Sequence, residues 1–364
     1  MKSISYDIDP RGDIELILKC PNKQYIIAES RTLPSDPQDP QLLNSPCLGR
    51  YEVFSELYTD EEEDEDEDED NQNETLEEVE VRMRVSSRHL TLASRTFRAM
   101  LEGPWKEGNS SFRPIRQIST EDWDVFALAI VMDSIHGRHH GIPTQITGGL
   151  LTRIATIVDY YQCREAMHFN YEVWTHGVIA PSELCTVALL WLYVSWVFHD
   201  VSRCRTLACL FVRFGIGACD FDTHDLPVGG VLDLLDGIRR NLINRVLVAI
   251  GSLHETLITE EGCESENDSD CTAIMLGVLV KEMRDMACLD PPLDASFDGR
   301  SLDEMVSMVD KFRIPMSPHK LDEFPFEEEE DGSYHPCTIQ GRLDPVIKEI
   351  KEAIEGVSLA DLQP

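Results

Sequence analysis

Histidines and cysteines are the residues of this chain most suited to metal chemistry. They occur in several groups: His136 with His139 and His140, Cys204 with Cys209, Cys263 with Cys271, and His335 with Cys337. Structural zinc favours a tight C-x2-C hook followed by a second pair of ligands. None of these groups has that hook, and the H-x-C of His335 and Cys337 has no second half nearby in the sequence. We therefore predict a solvated loop for the histidines, buried or unpaired thiols for the cysteines, and no metal.

Signatures of other chemistry are equally sparse. Gly215 and Gly217 form a lone G-x-G without the lysine or the downstream acid that a phosphate site requires. The sequence has no G-x-S-x-G nucleophile elbow and no H-E-x-x-H zinc motif. It therefore predicts no catalytic residue and no cofactor, although an enzyme whose site is not evident from motifs stays an alternative.

Acidic residues dominate the charge of the chain, whose formal net charge is −35. Eleven of them form an unbroken run at 60–70, and the remaining sequence is still strongly acidic. Such a field repels phosphate backbones and anionic lipids, so it argues against nucleic-acid binding and membrane-surface binding. It attracts basic proteins, and one hypothesis is an acidic chaperone or decoy for basic nuclear proteins that works through 60–70. A solvated linker is the commoner meaning of such a run.

The cysteine count and the N-terminal sequence both indicate an intracellular protein. Eleven cysteines, an odd number, are scattered through apolar segments, which is typical of a reducing compartment. The first residues, MKSISYDIDPRGDIEL, lack the apolar core of a signal peptide. The most hydrophobic run, 187–198, is shorter than the roughly 20 residues that cross a bilayer. A buried core helix is therefore predicted there, and the chain is expected in the cytoplasm or the nucleus.

The elements that must position any functional residue are best defined at 81–101. Alternation of apolar residues with arginines predicts a half-buried strand over 81–85. Ser86 and Ser87 are suited to capping a helix, and Ser94 is suited to capping a second one. Apolar residues at spacings of three and four then predict a helical face that covers a sheet: Leu90, Ala93, Phe97, Met100 and Leu101.

Around this segment the pattern predicts further strands and helices. Strands are expected at 13–18, 24–28 and 115–118, and helices at 123–136, with Ser119 or Thr120 as the cap, and at 150–161. Residues 30–78 are rich in proline and acid and poor in apolar residues, which predicts a disordered insertion.

The sequence from residue 182 onward is entirely helical in pattern. Helices are predicted at 182–199, 201–214, 226–259, 272–289, 301–313 and 344–356. Ser301 and Glu304 form a capping box, and Asp344 with Pro345 is predicted to begin the last helix. Acidic loops are expected near 260–271 and 322–336. The predicted organisation is therefore an α+β domain made of 1–29 and 79–180, interrupted by the insertion at 30–78 and followed by a helical region at 181–364.

The order strand, long break, strand, and then V-S-S-R-x-L-x-x-A-S-x-x-F-x-x-M-L resembles the BTB/POZ domain. Other segments are similar to the branch of this family found in filamentous fungi: GPWKEG at 103–108, IHGR at 135–138, VDYYQC at 158–163, and the tail with His335, Cys337 and 347–362. The resemblance implies an α+β fold in which helices cap a small sheet, followed by a helical C-terminal region. It also implies a protein-interaction module of a family that often dimerises and sometimes supplies substrate adaptors to cullin-type ubiquitin ligases.

One position departs from the family pattern. The family places a histidine at the start of the first helix, and Ser86 stands there in this chain. The strand aspartate that usually accompanies the histidine has a match in Asp13. The charged pocket of the family's dimer interface is therefore incomplete, which puts homodimerisation in doubt.

The resemblance also places the family's interaction surfaces on two parts of the chain. These are the helix that contains Phe97 and Met100 and the segment from Tyr160 to Trp174, so we predict these four residues as contacts to a protein partner. Core packing is the competing interpretation, and it is the one we favour for Phe97, Met100 and Tyr160. An interaction scaffold or adaptor is thus the leading functional hypothesis.

Overall fold

The computed structural model describes residues 2–26, 49–57, 79–103, 115–217, 223–263, 268–286, 294–315 and 337–357. Their fold is α+β, with a small four-stranded mixed sheet and many helices, which confirms the predicted class. The chain divides into two compact units. Unit 1 comprises Met1–Pro181, Cys185–Cys204 and Thr223–Pro227, and unit 2 comprises Ser182–Leu184, Arg205–Asp222 and Val228–Pro364.

Unit 1 contains the sheet and the helices that cover it. Its strands are β1 (Lys2–Asp7), β2 (Ile14–Lys19), β3 (Val79–Val85) and β4 (Arg116–Glu121). Its helices are α1 (Ser87–Ala93), α2 (Arg95–Glu102), α3 (Val125–Ile135), α4 (Gly148–Tyr161), α5 (Arg164–Thr175) and α6 (Thr186–Phe198), with short 3-10 helices at Gly49–Leu57 and His139–Gly141. Helix α7 (Val201–Phe214) begins in unit 1 and continues in unit 2, which also holds α8 (Gly229–Thr259), α9 (Ser269–Asp285), α10 (Leu302–Asp310) and α11 (Ile339–Glu355).

The strands of the sheet lie in the order β1–β3–β2–β4. β3 pairs with β1 in parallel and with β2 in antiparallel orientation, and β4 runs parallel to β2. Alternation on β3 is as predicted, since Val81, Met83 and Val85 are all fully buried. Gly12 leads into β2 so close to β3 that an added Cβ would lie 2.4 Å from the carbonyl oxygen of Val85, which explains the absence of a side chain there.

Two strand assignments differ from the sequence prediction. β1 is not predicted, although its Ile4 and Tyr6 alternate with polar residues and are buried. The strand predicted at 24–28 is wrong within the described residues, because Ile26 forms only an isolated bridge, with His224. Residues 27 and 28 lie outside the described residues.

The 3-10 helix at Gly49–Leu57 corrects the prediction that 30–78 is disordered throughout. Its Tyr51 and Phe54 are buried, with exposures of 1% and 0%. The ring of Phe54 packs 5.0 Å from that of Tyr6 and 5.9 Å from that of Phe126 on α3. The remaining parts of the predicted insertion, 30–48 and 58–78, lie outside the described residues.

A fully buried carboxylate on α3 binds this 3-10 helix to the rest of unit 1. Oδ2 of Asp133 accepts hydrogen bonds from the hydroxyls of Tyr6, at 2.7 Å, and Tyr51, at 2.9 Å. The guanidinium of Arg50 lies 3.2 Å from Oδ1 and over the ring of Tyr6. Burial, together with the charge of Asp133, raises the pKa of both tyrosines, so both hydroxyls keep their protons. The two hydroxyls and the Arg50 charge offset part of the cost of burying a charge at Asp133, since Oδ1 has no hydrogen-bond partner among the described residues.

The helices of unit 1 follow the predicted ranges, but some caps differ. Ser94 caps α2 as predicted, by accepting from the backbone N–H of Phe97. Ser119 and Thr120 do not cap α3, because both lie in β4; the cap is Asp124. Helix α3 is buried on every side. Helix α6 packs against α4 and belongs to unit 1. The sequence prediction assigns its residues instead to the helical region that begins at 181.

Unit 2 is built around α8, whose buried stripe packs against α9, α10 and α11. By length and composition α8 could also cross a membrane, but a core helix of this kind passes the same test. Thr338 caps α11, so the predicted start at Asp344 is wrong and Pro345 lies inside the helix. The acidic loop predicted near 260–271 is shorter, since α9 already begins at Ser269, and the loop predicted near 322–336 lies outside the described residues.

Candidate interaction surface

The junction of β2, β3 and α1 contains the two positions that the family resemblance singles out. Oδ1 of Asp13 accepts from the backbone N–H of Ser87 at 2.8 Å, and Oδ2 accepts from the Ser87 hydroxyl at 2.7 Å and from Arg116 at 3.2 Å. Burial alone would raise the pKa of Asp13, but the bonds from Ser87 and Arg116 outweigh it and lower the pKa. Asp13 therefore caps the first turn of α1, whereas the side chain of Ser86 makes no capping bond.

The histidine that caps the C-terminus of α3 lies beside Ser86. The backbone N–H of Ser86 donates to Nε2 of His136 at 2.9 Å, and Nδ1 lies 2.7 Å from the carbonyl oxygen of Met132. The ring is therefore the neutral tautomer with its proton on Nδ1. Burial lowers the pKa of His136, and the neighbouring His89 lowers it further, against the opposing effect of the Met132 carbonyl. The prediction of solvated histidines therefore holds for His139 and His140, which are exposed, but not for His136, which is half-buried.

Two of the predicted partner contacts lie in the core of unit 1. Phe97 is fully buried and stacks on Tyr161, with ring centroids 4.3 Å apart and planes at 8°. Trp174 is 9% exposed, and its indole N–H donates to the carbonyl oxygen of Pro143 at 2.8 Å. In this structure neither side chain is presented to a partner.

The other two predicted contacts are more accessible. Tyr160 is 53% exposed and packs edge-on against Trp123, and Met100 is half-buried. The outer face of α5 adds apolar surface that the sequence prediction missed, because Phe169 and Val173 are one turn apart and exposed by 67% and 38%. Residues at this spacing share one side of a helix, and Trp174 lies on the opposite, buried side.

A cleft of about 420 Å³ lies between the α1–α2 corner, the turn from α4 to α5, and the end of α6. Its lining residues are Leu92, Ala93, Arg95, Arg98, Val158, Asp159, Gln162, Arg164, Glu165, Trp196, Val197 and His199. Two local breaks in helix shape the cleft. Ser94 separates α1 from α2, and Gln162 ends α4 in the left-handed conformation, with φ of 52°.

The cleft has three arginines against two acidic residues, Asp159 and Glu165, so its lining is slightly basic although the chain is strongly acidic. Arg95, Arg98 and Arg164 line it, and no ion pair among the described residues includes any of the three. Burial lowers the pKa of His199 and the charge of Arg164 lowers it further, while burial raises the pKa of Asp159. Guanidinium groups without carboxylate partners are suited to bind a carboxylate or a phosphate.

An exposed leucine stands at the same cleft. Leu92, near the end of α1, is 81% exposed. The sequence indicates that the two arginines of α2 face outward, because Arg95 and Arg98 alternate around the helix with the buried Phe97 and Leu101. The pattern gives the outward face of α2 but not the α4–α5 turn that completes the cleft.

The buried thiols of unit 1 are poor nucleophiles. Burial raises the pKa of Cys163 to about 12 and that of Cys204 to about 11. Nucleophilic cysteines have the opposite shift, because the thiolate is the reactive form. The two thiols therefore act as small apolar core residues.

Comparisons with known proteins add no relative. No protein-family model, no curated protein and no solved structure matches this chain.

Proposed function

We propose that this chain is a non-enzymatic protein-interaction module, a BTB/POZ-like scaffold or adaptor, in which the cleft of unit 1 binds an acidic segment of a partner protein. The order of elements supports the family part of this proposal. β2, the long excursion, β3, α1, α2 and β4 follow one another as in the sequence pattern that resembles the BTB/POZ domain. The observation that carries the binding role is the basic cleft with its exposed leucine.

The cleft fits a partner segment that has both charge and an apolar side chain. Arg95 and Arg98 are exposed on α2 and Arg164 begins α5, so they can reach a carboxylate from two sides. Leu92 offers an apolar contact beside them. Charge-assisted hydrogen bonds contribute about 1.5–3 kcal/mol each when the partner shields them from water, and about 0.2–1 kcal/mol when they stay exposed. Two shielded bonds, together with the burial of Leu92 by the partner, would give measurable affinity for a protein segment. No catalytic group is needed for this role.

Affinity purification with charge-reversal variants tests the proposal. The tagged full chain, the double variant Arg95→Glu/Arg98→Glu and the control Arg138→Glu would be used to capture proteins from cell extract, with quantification by mass spectrometry. Arg138 is exposed in a loop outside the cleft, so its reversal makes the same kind of charge change elsewhere. We expect the double variant to lose its specific partners by about tenfold or more, which corresponds to ~1.4 kcal/mol. Equal capture by all three proteins would refute the role of the cleft.

The acidic-chaperone alternative assigns partner binding to a different segment of the chain. It requires the run at 60–70, which lies outside the described residues. Deleting 60–70 would abolish capture under that alternative and leave it intact under ours. Salt gives a second criterion, because a Debye length of ~3 Å at about 1 M salt screens an exposed acidic run more than contacts inside a cleft.

The cullin version of the adaptor hypothesis and homodimerisation have tests of their own. If no cullin is captured under conditions in which a known adaptor captures one, that version is wrong. For the oligomeric state we expect a monomer by light scattering, because Asp13 is already bonded to Ser87 and Arg116 of its own chain.

A further inference from the structure

Three cysteines that are far apart in sequence meet inside unit 2. The Sγ atoms of Cys263, Cys271 and Cys337 all lie within 4.8 Å of one another. The residues are 2%, 1% and 1% exposed, and none of them is in a disulfide. They come from three segments: the one that follows α8, the first turn of α9, and the residue before the cap of α11.

The separation of the sulfurs is close to that of a thiolate metal site. In a tetrahedral zinc site with Zn–S bonds of about 2.3 Å, two sulfurs lie roughly 3.8 Å apart. The observed limit of 4.8 Å means that side-chain movements of less than about 1 Å would give that geometry. Protonated thiols gain little from such proximity, because S–H is only a weak hydrogen-bond donor.

Helix ends supply an electrostatic environment suited to thiolates. Cys271 lies in the first turn of α9, and Cys337 directly precedes Thr338, the cap of α11. Both cysteines are therefore near the partial positive charge of a helix N-terminus, which stabilises a thiolate.

The surrounding contacts hold the three segments in register. The backbone N–H of Cys263 donates to the carbonyl oxygen of Asp268 at 3.1 Å, and Asp268 caps α9. Glu260, at the end of α8, forms an ion pair of 2.9 Å with Arg342 on α11. The cysteine group thus stands where the ends of three helices meet.

We propose that Cys263, Cys271 and Cys337 bind a zinc ion that fastens the ends of α8, α9 and α11 to one another. Zinc favours thiolate ligands, and the three sulfurs would occupy three of the four positions of its tetrahedron. Binding converts three thiols into three Zn–S bonds and releases three protons to solvent, with no change of oxidation state. Among the described residues, the three Sγ atoms are the metal-binding donors of this cysteine group.

The spacing rule could not find this site from the sequence. It assesses Cys263 with Cys271 and His335 with Cys337 as separate groups, and neither group has a C-x2-C hook. The fold brings Cys337 to the other pair, whereas His335 lies outside the described residues. The prediction of no metal rested on this separation, and the zinc proposal replaces it.

Metal analysis of the full-length protein tests the proposal. We expect about one zinc ion per chain when the protein is purified without added metal, and X-ray absorption should give Zn–S distances of about 2.3 Å. The variant Cys271→Ser should lose most of the zinc, whereas Cys185→Ser, which changes an exposed thiol of unit 1, should retain it. Zinc at wild-type level in the triple variant Cys263→Ser/Cys271→Ser/Cys337→Ser would overturn the proposal.

A second measurement keeps the test valid if the serine variants fail to fold. Wild-type protein stripped with a chelator should unfold at a lower temperature by circular dichroism and recover when zinc is added. The apparent zinc affinity should fall as pH falls, because protons compete with the metal ion for the sulfurs. A zinc-free wild-type protein, or an intact mass two hydrogen atoms lower than that of the reduced chain, would instead establish bare thiols or a disulfide.

Discussion

Removal of one hydroxyl from the 3-10 helix tests whether Gly49–Leu57 belongs to the fold of unit 1. The substitution is Tyr51→Phe, which keeps the buried ring and deletes only the donor to Asp133. The ring contact with Tyr6, at 6.1 Å between centroids, stays in place. Any loss of stability therefore reports on the hydrogen bond and not on packing.

The expected magnitude follows from the partners of Asp133. Its Oδ2 would keep the bond from Tyr6, and Oδ1 would keep the nearby Arg50, so the carboxylate is not left alone. A hydrogen bond to a charged group contributes about 1.5–3 kcal/mol, and we expect a loss in this range. With an m-value of ~2 kcal/mol/M, the urea midpoint would fall by about 1 M.

Tryptophan fluorescence is the suitable assay, because all five tryptophans of the sequence fall within the residue ranges of unit 1. The matched control is Tyr25→Phe, since Tyr25 is 55% exposed and a surface change of this kind costs less than about 0.5 kcal/mol. Deletion of 60–70 should likewise leave the midpoint unchanged. If Tyr51→Phe unfolds at the same urea concentration as Tyr25→Phe, the 3-10 helix does not contribute to the fold as the structure indicates.

Two further predictions concern pH and unit 2. Because the folded chain holds His136 neutral with a lowered pKa, the unfolded state takes up more protons, so unit 1 should lose stability as pH falls below about 6.5. His136→Gln should reduce this pH dependence of the fluorescence midpoint while His140→Gln does not, and equal slopes would contradict the assignment. Arg239, 1% exposed, donates to the carbonyl oxygens of Ser296, Phe297 and Arg300, so Arg239→Met should lower the stability of unit 2 by about 3–5 kcal/mol in helix unfolding followed by circular dichroism. Its neighbour Arg240, in a partly exposed pair with Asp236, should cost less than about 1 kcal/mol when changed to Met, and similar losses at both positions would contradict the role of burial.

Elements that are bounded by local residues could be predicted from the sequence. Ser94 and Ser301 cap their helices as expected, and α7 has the predicted limits. Elements that depend on distant partners could not be predicted. Tyr51 is placed by Asp133, 82 residues further along the chain, within a segment whose average composition indicates disorder.

Caps were misplaced where tertiary pairing extends an element. β4 continues to Glu121 because Glu121 pairs with Lys19 of β2. Ser119 and Thr120 therefore lie within the strand, and Asp124 caps α3 instead. α11 begins at Ile339 although Pro345 removes one backbone donor inside it. Buried apolar contacts along α8 and α10 support that extra length.

The candidate sites show the same division between local and distant information. Helical spacing places Arg95 and Arg98 on the outer face of α2, but it does not reveal that Arg164 joins them. It also cannot decide which residues of 160–174 face outward, which is why Trp174 was predicted as a contact and lies in the core. The cysteine group has no local signature at all, since its members belong to three segments.

The sheet has a consequence for biosynthesis. β2 finds its neighbours only after much more chain has been made, since Asp13 and its partner Arg116 are 103 residues apart. At translation rates of about 5–20 residues per second, the edge of the apolar strand Ile14–Lys19 that pairs with β4 stays unpaired for roughly 5–20 seconds, a condition that invites association between nascent chains. The run of eleven acidic residues at 60–70 is synthesised during this interval. Like charges repel one another, so we expect a chain from which 60–70 is deleted to aggregate more during synthesis than the full chain.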